Sequence, residues 1–126
     1  MVERLYRGKR IDNGEWVYGG YAHIYSNPNT DIIVTGRMCI YEDSDELTLE
    51  ARNVDPTTVG QYTGLTDKNG KKIFEGDIVA TPKYIGVVVY GTGCYCIKHG
   101  NNSPAIDIVM NDFDVYVIDN IHDNIQ

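Results

Sequence analysis

Short runs of strand-type residues fill most of the chain, and turn residues interrupt them at regular intervals. After Asp77 the runs are DIVAT, YIGVVVYG, CYCIK, AIDIVM and DVYVID, separated by PK, GTG, HGNNSP and ND. Breaks that recur about every eight to twelve residues are typical of compact all-β domains. Helical periodicity is weak. The sequence therefore predicts a mainly β fold, as a compact small barrel-like or twisted antiparallel sheet assembly with SH3-like features and at most short helical turns.

The length of 126 residues suits one domain, predicted to span residues 1–126. The chain is 42% apolar and 23% charged, which are near the averages of globular proteins. No apolar run approaches the roughly 20 residues that cross a bilayer, and no apolar segment follows the basic start MVERLYRGKR. We expect a cytoplasmic protein with no membrane partner.

The net charge of −7 argues against a protein that coats nucleic acid by bulk attraction. The charges are nevertheless uneven along the sequence. Basic residues concentrate from Glu3 to Arg10 and from Asp67 to Lys72, whereas acidic residues concentrate from Glu42 to Glu50 and after Asn101. Such blocks are typical of solvated faces, and they also fit a polarised surface that meets a charged partner.

Three cysteines indicate free thiols in a reducing compartment. Cys94 and Cys96 belong to one predicted strand, and we expect their side chains to point to opposite faces. The C-x-C spacing has no second cysteine pair, and His99 is the only histidine near it. We therefore predict neither a metal site nor a cofactor.

Two Asn-Gly pairs predict β-hairpins. Asn13-Gly14 lies between two extended runs, which indicates a two-residue type I′ turn. Asn69-Gly70 is predicted to close a hairpin with arms Tyr62–Thr66 and Lys71–Phe74, and Asp67 is expected to accept bonds from backbone N–H groups beyond it. Three lysines, Lys68, Lys71 and Lys72, would then stand at the exposed tip.

The same stretch fails the common ligand motifs. Gly70 and Lys71 occupy the fourth and fifth positions of a calcium loop that would start at Asp67, where an oxygen ligand is needed at the fifth. Nor does a phosphate-loop pattern begin at Gly64. Glu75 and Asp77 flank Gly76 and could act as a carboxylate pair in acid-base catalysis. A structural role also fits them, with Gly76 in a tight turn and Asp77 accepting backbone hydrogen bonds before a buried strand.

The segment VGQYTGLTDKNGKKIFEGDIV closely resembles the central signature of the YopX family. The flanking segments YRGKRIDNGEWVYG and VYVIDNIHDN resemble the two ends of the family pattern, so the resemblance extends from about Leu5 to Asn124. Asp119 and Ile125 depart from that pattern, where glycine and proline are usual. The structural residues of this signature are Gln61, Tyr62, Gly64, Asp67, Asn69, Gly70, Gly76 and Asp77, and turn chemistry accounts for five of them, Asp67, Asn69, Gly70, Gly76 and Asp77.

The resemblance implies a mainly β protein of phage or prophage origin that acts inside the bacterial host. It implies no reaction, cofactor or catalytic residue. Our first hypothesis is a non-enzymatic binding or adaptor module for a host or phage macromolecule. Its contacts would come from the lysine tip, from Glu75 beside it, and from exposed tyrosines such as Tyr18, Tyr21 and Tyr90.

The sequence is also compatible with two other functions. The first is a role with nucleic acid, by direct binding through a basic patch that includes Arg4, Arg7, Lys9 and Arg10, or by acidic mimicry of DNA. The second is a hydrolytic enzyme that uses Glu75 and Asp77. Exposed strand edges would also allow homo-oligomers.

Overall fold

A computed structural model of the chain describes residues 5–35, 39–40, 47–48, 50–91 and 93–123. Strands make up 55% of the structure, in antiparallel sheets with one short α-helix. The predicted mainly β fold is confirmed, and within the described residues the sheets are open and do not close into a barrel. None of the helices in these ranges is long and apolar enough to cross a membrane.

The strands follow one another closely along the chain. They are β1 (Tyr6–Lys9), β2 (Trp16–Ile24), β3 (Thr30–Val34), β4 (Cys39–Ile40), β5 (Leu47–Thr48), β6 (Ala51–Asn53), β7 (Gly60–Thr66), β8 (Lys72–Phe74), β9 (Asp77–Ala80), β10 (Ile85–Gly91), β11 (Cys94–Lys98) and β12 (Tyr116–Asn120). A 3₁₀ turn, Pro56–Thr58, precedes β7, and helix α1, Ile106–Asp112, precedes β12. The chain forms two compact units, one ending at Gln61 and the other starting at Tyr62. The single domain over residues 1–126 stays a prediction.

The amino-terminal unit contains an antiparallel sheet in the order β6-β3-β2-β1, with Gly60 and Gln61 at the start of β7 paired to β1, and β4 pairs separately with β5. Its buried centre includes Ile33 and Val54, which have no exposed surface. Gly8 lies directly against Val54, because a Cβ atom at Gly8 would be 3.1 Å from the Val54 Cβ. The absence of a side chain at Gly8 therefore allows this close packing.

Strands β1 and β2 form the predicted first hairpin, with Lys9 opposite Trp16. The Arg10 N–H donates to the Glu15 carbonyl at 2.9 Å, so four residues lie in the loop. The predicted two-residue type I′ turn is therefore wrong. The Asn13 side chain instead accepts the Glu15 N–H at 2.9 Å, which stabilises the wider loop.

The carboxy-terminal unit contains the β7–β8 pair and a four-stranded antiparallel sheet in the order β11-β10-β9-β12. Helix α1 contacts β11. The core combines residues from the sheet, from the helix and from the segments next to them. Its buried members are Ile73, Val79, Val88, Ile97, Ile106, Val109 and Val115.

The segment AIDIVM, predicted as a strand, forms most of helix α1. Its apolar residues are compatible with the alternation of a strand and also with the spacing of a helix. In the structure Ile106 and Val109 are buried, Met110 packs against the core, and Ile108 is 61% exposed. That spacing of three and four residues is helical, so packing against the core decides between the two periodicities.

Cys94 and Cys96 are free thiols on β11, as predicted, but their Sγ atoms lie 3.6 Å apart. The prediction of opposite faces is wrong, because residues i and i+2 of a strand share a face. Burial, followed by the hydrogen bond with Cys94, raises the pKa of the Cys96 thiol. The thiol of Cys39 lies outside the side chains that the structure describes.

Candidate functional site

The family-signature segment forms the hairpin of β7 and β8. Tyr62 pairs with Phe74 and Thr66 pairs with Lys72, so β7 has two more residues than β8 between the pairings. Gly64 lies in this bulge with φ +87°, a conformation that favours glycine. The predicted arms are thus confirmed, with a bulge that the sequence did not indicate.

The hairpin turn is built around the carboxylate of Asp67. Its Oδ1 atom accepts the Asn69 N–H at 2.9 Å and the Lys71 N–H at 2.8 Å. The Gly70 N–H donates to the Asp67 carbonyl at 3.0 Å, and Gly70 has φ +83°. Asp67 therefore caps its own turn, as the sequence predicted.

The other oxygen of Asp67 holds the turn to a distant strand. Oδ2 accepts the N–H of Val117, the second residue of β12, at 3.0 Å, and the Lys68 N–H donates to the Val115 carbonyl at 2.9 Å. Asp67 is only 7% exposed. Burial raises its pKa, but the N–H groups of Val117, Lys71 and Asn69 and the charge of Lys71 outweigh that effect and hold the pKa below its usual value.

The lysine tip, defined as Lys68, Lys71 and Lys72, is exposed at all three positions. The Lys68 Nζ atom lies 3.8 Å from a carboxylate oxygen of Asp114, in an ion pair whose side chains are both more than half exposed. The Lys72 Nζ atom lies 4.6 Å from the centre of the Tyr62 ring, which is itself buried. The structure therefore presents three cations on a turn whose backbone is fixed by Asp67.

The Glu75-Gly76-Asp77 turn connects β8 to β9. Asp77 is 1% exposed, and its Oδ2 atom accepts the Phe74 N–H at 2.8 Å. Gly76 has φ +87°, donates its N–H to the Val88 carbonyl, and accepts the Ile121 N–H. Glu75 is half-buried. The Asp77 carboxylate is thus part of the turn that leads into a buried strand.

The basic residues near the amino terminus have local partners. Arg7 is 4% exposed, with its guanidinium carbon 4.5 Å from the Trp16 ring centre, and the Lys9 Nζ atom lies 5.4 Å from that centre. Arg10 binds Asp12 through two N–H groups. Arg4 lies outside the described residues, as do the residues of the acidic block at 42–46 and 49.

The tyrosines named from the sequence are exposed, at 48% for Tyr18, 37% for Tyr21 and 58% for Tyr90. The Tyr21 hydroxyl donates to Asp31, which also binds His23 Nδ1 at 2.8 Å. That hydrogen bond, with burial and the charge of Asp31, raises the pKa of Tyr21 to about 12. Tyr21 therefore has a structural partner in its own sheet.

Gln61, the remaining signature residue, pairs with Tyr6 of β1. In the parts of the chain that the structure describes, no three histidine, cysteine or carboxylate side chains come close enough together to hold a metal ion. Sequence reasoning missed the bond from Asp67 to Val117, which no local pattern marks. It also missed a groove beside His99, for which the polar run HGNNSP was the only signal.

Comparison with known proteins gives a family match over nearly the whole chain. The model of the family described as YopX protein matches residues 5–126. Protein EF1440 from Enterococcus faecalis, known from a crystal structure, is similar with a TM-score of 0.63 and 24% sequence identity, over 98% of this chain and 96% of that one. At this identity the likeness shows the fold alone. A search of curated proteins found no match.

Proposed function

The chain belongs to the YopX family, and we propose that it is a phage- or prophage-encoded accessory protein that binds a host or phage macromolecule in the bacterial cytoplasm without catalysing a reaction. The lysine tip is the proposed contact surface. The observation that carries this proposal is the pair of anchors at Asp67, which fix the tip to its own turn and to β12.

Rigid presentation favours binding because ordering a loop on association costs free energy. An immobilised side chain costs about 0.5–1.5 kcal/mol, and a loop that is already ordered in the free protein avoids its share of that cost. The Lys68 and Lys71 side chains extend from such a loop and are exposed. An acidic surface on the partner would complement them, and this attraction would weaken as salt is added.

The carboxylates of Glu75 and Asp77 have a smaller part in this proposed function than the lysine tip. Asp77 is buried and bonded to the Phe74 N–H, and a buried carboxylate of this kind contributes to the turn. Glu75 is half-buried and follows the end of β8 that lies away from the hairpin turn, so it would add at most a secondary contact that helps to select among partners. We therefore assign the signature turn to support of the tip and not to hydrolysis.

Affinity capture from lysate of an infected bacterial host tests the proposal. Lys71→Glu reverses one charge at the tip, and Lys98→Glu makes the same change at an exposed position on β11. We expect the wild type and Lys98→Glu to retain the same partner, and Lys71→Glu to lose it. The comparison is made at two salt concentrations after both variants are shown to unfold like the wild type.

Capture of the same proteins by all three chains, at the same salt dependence, would contradict a role for the tip. Loss of the partner by Lys98→Glu alone would place the contact on the sheet that contains β11. Either result would overturn the proposed surface.

A further inference from the structure

An open groove of about 530 Å³ lies in the carboxy-terminal unit, beside the turn after β9 and the loop after β11. This volume falls in the range of small-molecule sites, about 300–1,000 Å³. The lining residues include a cation, two rings and two small polar side chains, and no carboxylate. They are Lys83, Tyr84, His99, Asn102, Ser103 and Pro104.

Backbone hydrogen bonds fix both walls of this groove. On one side Thr81 N–H donates to the Tyr84 carbonyl at 2.7 Å, and the Tyr84 N–H donates to Thr81 Oγ1 at 2.7 Å. On the other side His99 and Asn102 exchange two backbone bonds of 2.9 Å. The side chains thus project from backbone segments that hydrogen bonds hold in place, which lowers the free-energy cost of ordering them on binding.

His99 is fixed in orientation and in tautomer. Its Nδ1 atom lies 2.8 Å from the Ile85 carbonyl oxygen, which can only accept, so Nδ1 carries a hydrogen. In the neutral ring the lone pair is then on Nε2. The ring packs edge-to-face with Tyr84, with centres 5.6 Å apart and an angle of 77° between the planes.

The other polar side chains of the groove, those of Lys83, Asn102 and Ser103, are exposed. The side chains of Asn102 and Ser103 have no hydrogen-bond partner among the described residues. The Lys83 Nζ atom lies 5.5 Å from the centre of the Tyr84 ring, so a cation stands beside an aromatic surface. A cation, an amide, a hydroxyl and two rings are the groups that proteins use for phosphates and planar bases.

We propose that this groove binds a nucleotide, with a phosphate at Lys83 and the base against Tyr84 and His99. Asn102 and Ser103 would bond to polar atoms of the base or sugar. The lining residues that the structure describes include a lysine and no carboxylate, which favours an anionic ligand, and the two aromatic rings distinguish a nucleotide from a simple anion. The site lies at residues other than the lysine tip and does not depend on the function proposed above.

Calorimetric titration of the full chain tests the proposal, with adenosine 5′-monophosphate, adenosine and inorganic phosphate as separate probes. We expect the monophosphate to bind more tightly than either part. Lys83→Gln removes the charge at an exposed position and should weaken monophosphate binding about tenfold, as expected for one charged hydrogen bond. His99→Asn can retain the bond to the Ile85 carbonyl while it removes Nε2 and the ring, and it should also weaken binding.

Lys71→Gln is the matched control, since it removes one positive charge at the hairpin tip and should leave nucleotide binding unchanged. Equal affinity of Lys83→Gln and the wild type would overturn the proposal, as would phosphate binding as tightly as the monophosphate. A short oligothymidylate compared with thymidine 5′-monophosphate identifies the source of the nucleotide. Tighter oligomer binding indicates a single strand and equal binding indicates a free nucleotide, and either supports the site.

Discussion

Two hairpins of this chain have similar turn sequences and different anchors. The turn between β1 and β2 contains Asp12-Asn13-Gly14, and the turn between β7 and β8 contains Asp67-Lys68-Asn69-Gly70. Each has its glycine at positive φ, +73° at Gly14 and +83° at Gly70, with open space around it. The backbone requirement on the glycine is therefore the same in both turns.

The aspartates of the two turns make different bonds. The Asp12 side chain is 64% exposed and binds the guanidinium group of Arg10, two residues before it. Asp67 is 7% exposed and accepts three backbone N–H groups, one of them from Val117. The first carboxylate makes a local ion pair in solvent, whereas the second joins its turn to another strand.

This difference shows that the amino-acid composition of a turn does not determine how much its hydrogen bonds stabilise the protein. Water replaces the partner of an exposed ion pair at little cost. Water cannot replace the partner of a backbone N–H group that is buried inside a protein, and an unpaired donor of this kind lowers the free energy of unfolding. Stability should therefore depend on Asp67 far more than on Asp12, although the two sequences predict hairpins with similar strength.

Replacement of Asp67 should have the largest effect. Asp67→Ala removes the acceptor of three backbone N–H groups, and we expect a loss of about 3 kcal/mol in the free energy of unfolding. The Val117 N–H contributes most, because the N–H groups in the turn can reach water more easily. Urea unfolding monitored by far-ultraviolet circular dichroism measures the change.

A matched substitution tests whether the effect comes from the anchor. Asp114→Ala removes a carboxylate that is 58% exposed and paired with Lys68 in the same unit. It should leave the urea midpoint nearly unchanged. If Asp114→Ala and Asp67→Ala had equal effects, the buried backbone bonds of Asp67 would not be what stabilises this hairpin.

The sequence predicted the hydrogen bonds that Asp67 makes within its own turn. The spacing of Asp67, Asn69 and Gly70 is sufficient, because a short carboxylate reaches N–H groups two and four residues ahead. The bond to Val117 joins residues 50 positions apart, and nothing near either residue marks it. Local turn chemistry can therefore be predicted from a single sequence, whereas the tertiary partner of the same side chain cannot.

Helix α1 and the groove beside His99 also depend on tertiary contacts that the sequence does not reveal. Ile106, Ile108 and Met110 alternate as in a strand, and only the core shows that Ile106 and Val109 are the buried pair. Tyr84 and His99 come from different strand ends that pairing brings together. Mainly β content follows from composition and spacing, but the helix and the groove depend on contacts that form only in the folded chain.

Acid should weaken the Asp67 hairpin through its titration. Because backbone donors lower the pKa of Asp67 in the folded protein, its stabilising contribution is present above the usual carboxyl pKa and is lost as pH falls through the lowered value. Asp67→Asn removes this titration. We expect the urea midpoint of the wild type to fall as the pH is lowered below the usual carboxyl pKa of about 4, and that of Asp67→Asn to fall less.

Asp12→Asn is the comparison for this pH dependence. The hydrogen bond to Arg10 lowers the pKa of Asp12 as well, in spite of a smaller opposing effect of desolvation. That pair is exposed, so added salt should remove any difference between Asp12→Asn and the wild type. The difference made by Asp67→Asn should persist in salt, since its partners are backbone dipoles in a buried site. Its disappearance in salt would show that the charge of Lys71 dominates instead.

The smallest effect is expected at the first turn. Asp12→Ala removes the bonds to Arg10 but leaves the Arg10–Glu15 backbone bond and the Asn13 side-chain bond in place. The urea midpoint should therefore stay within error of the wild type, whereas Asn13→Ala should lower it measurably because the Glu15 N–H loses its acceptor. If Asp12→Ala lowered the urea midpoint as much as Asn13→Ala, the exposed ion pair would stabilise this hairpin. The aspartates of the two turns would then both contribute to stability and would differ only in how much.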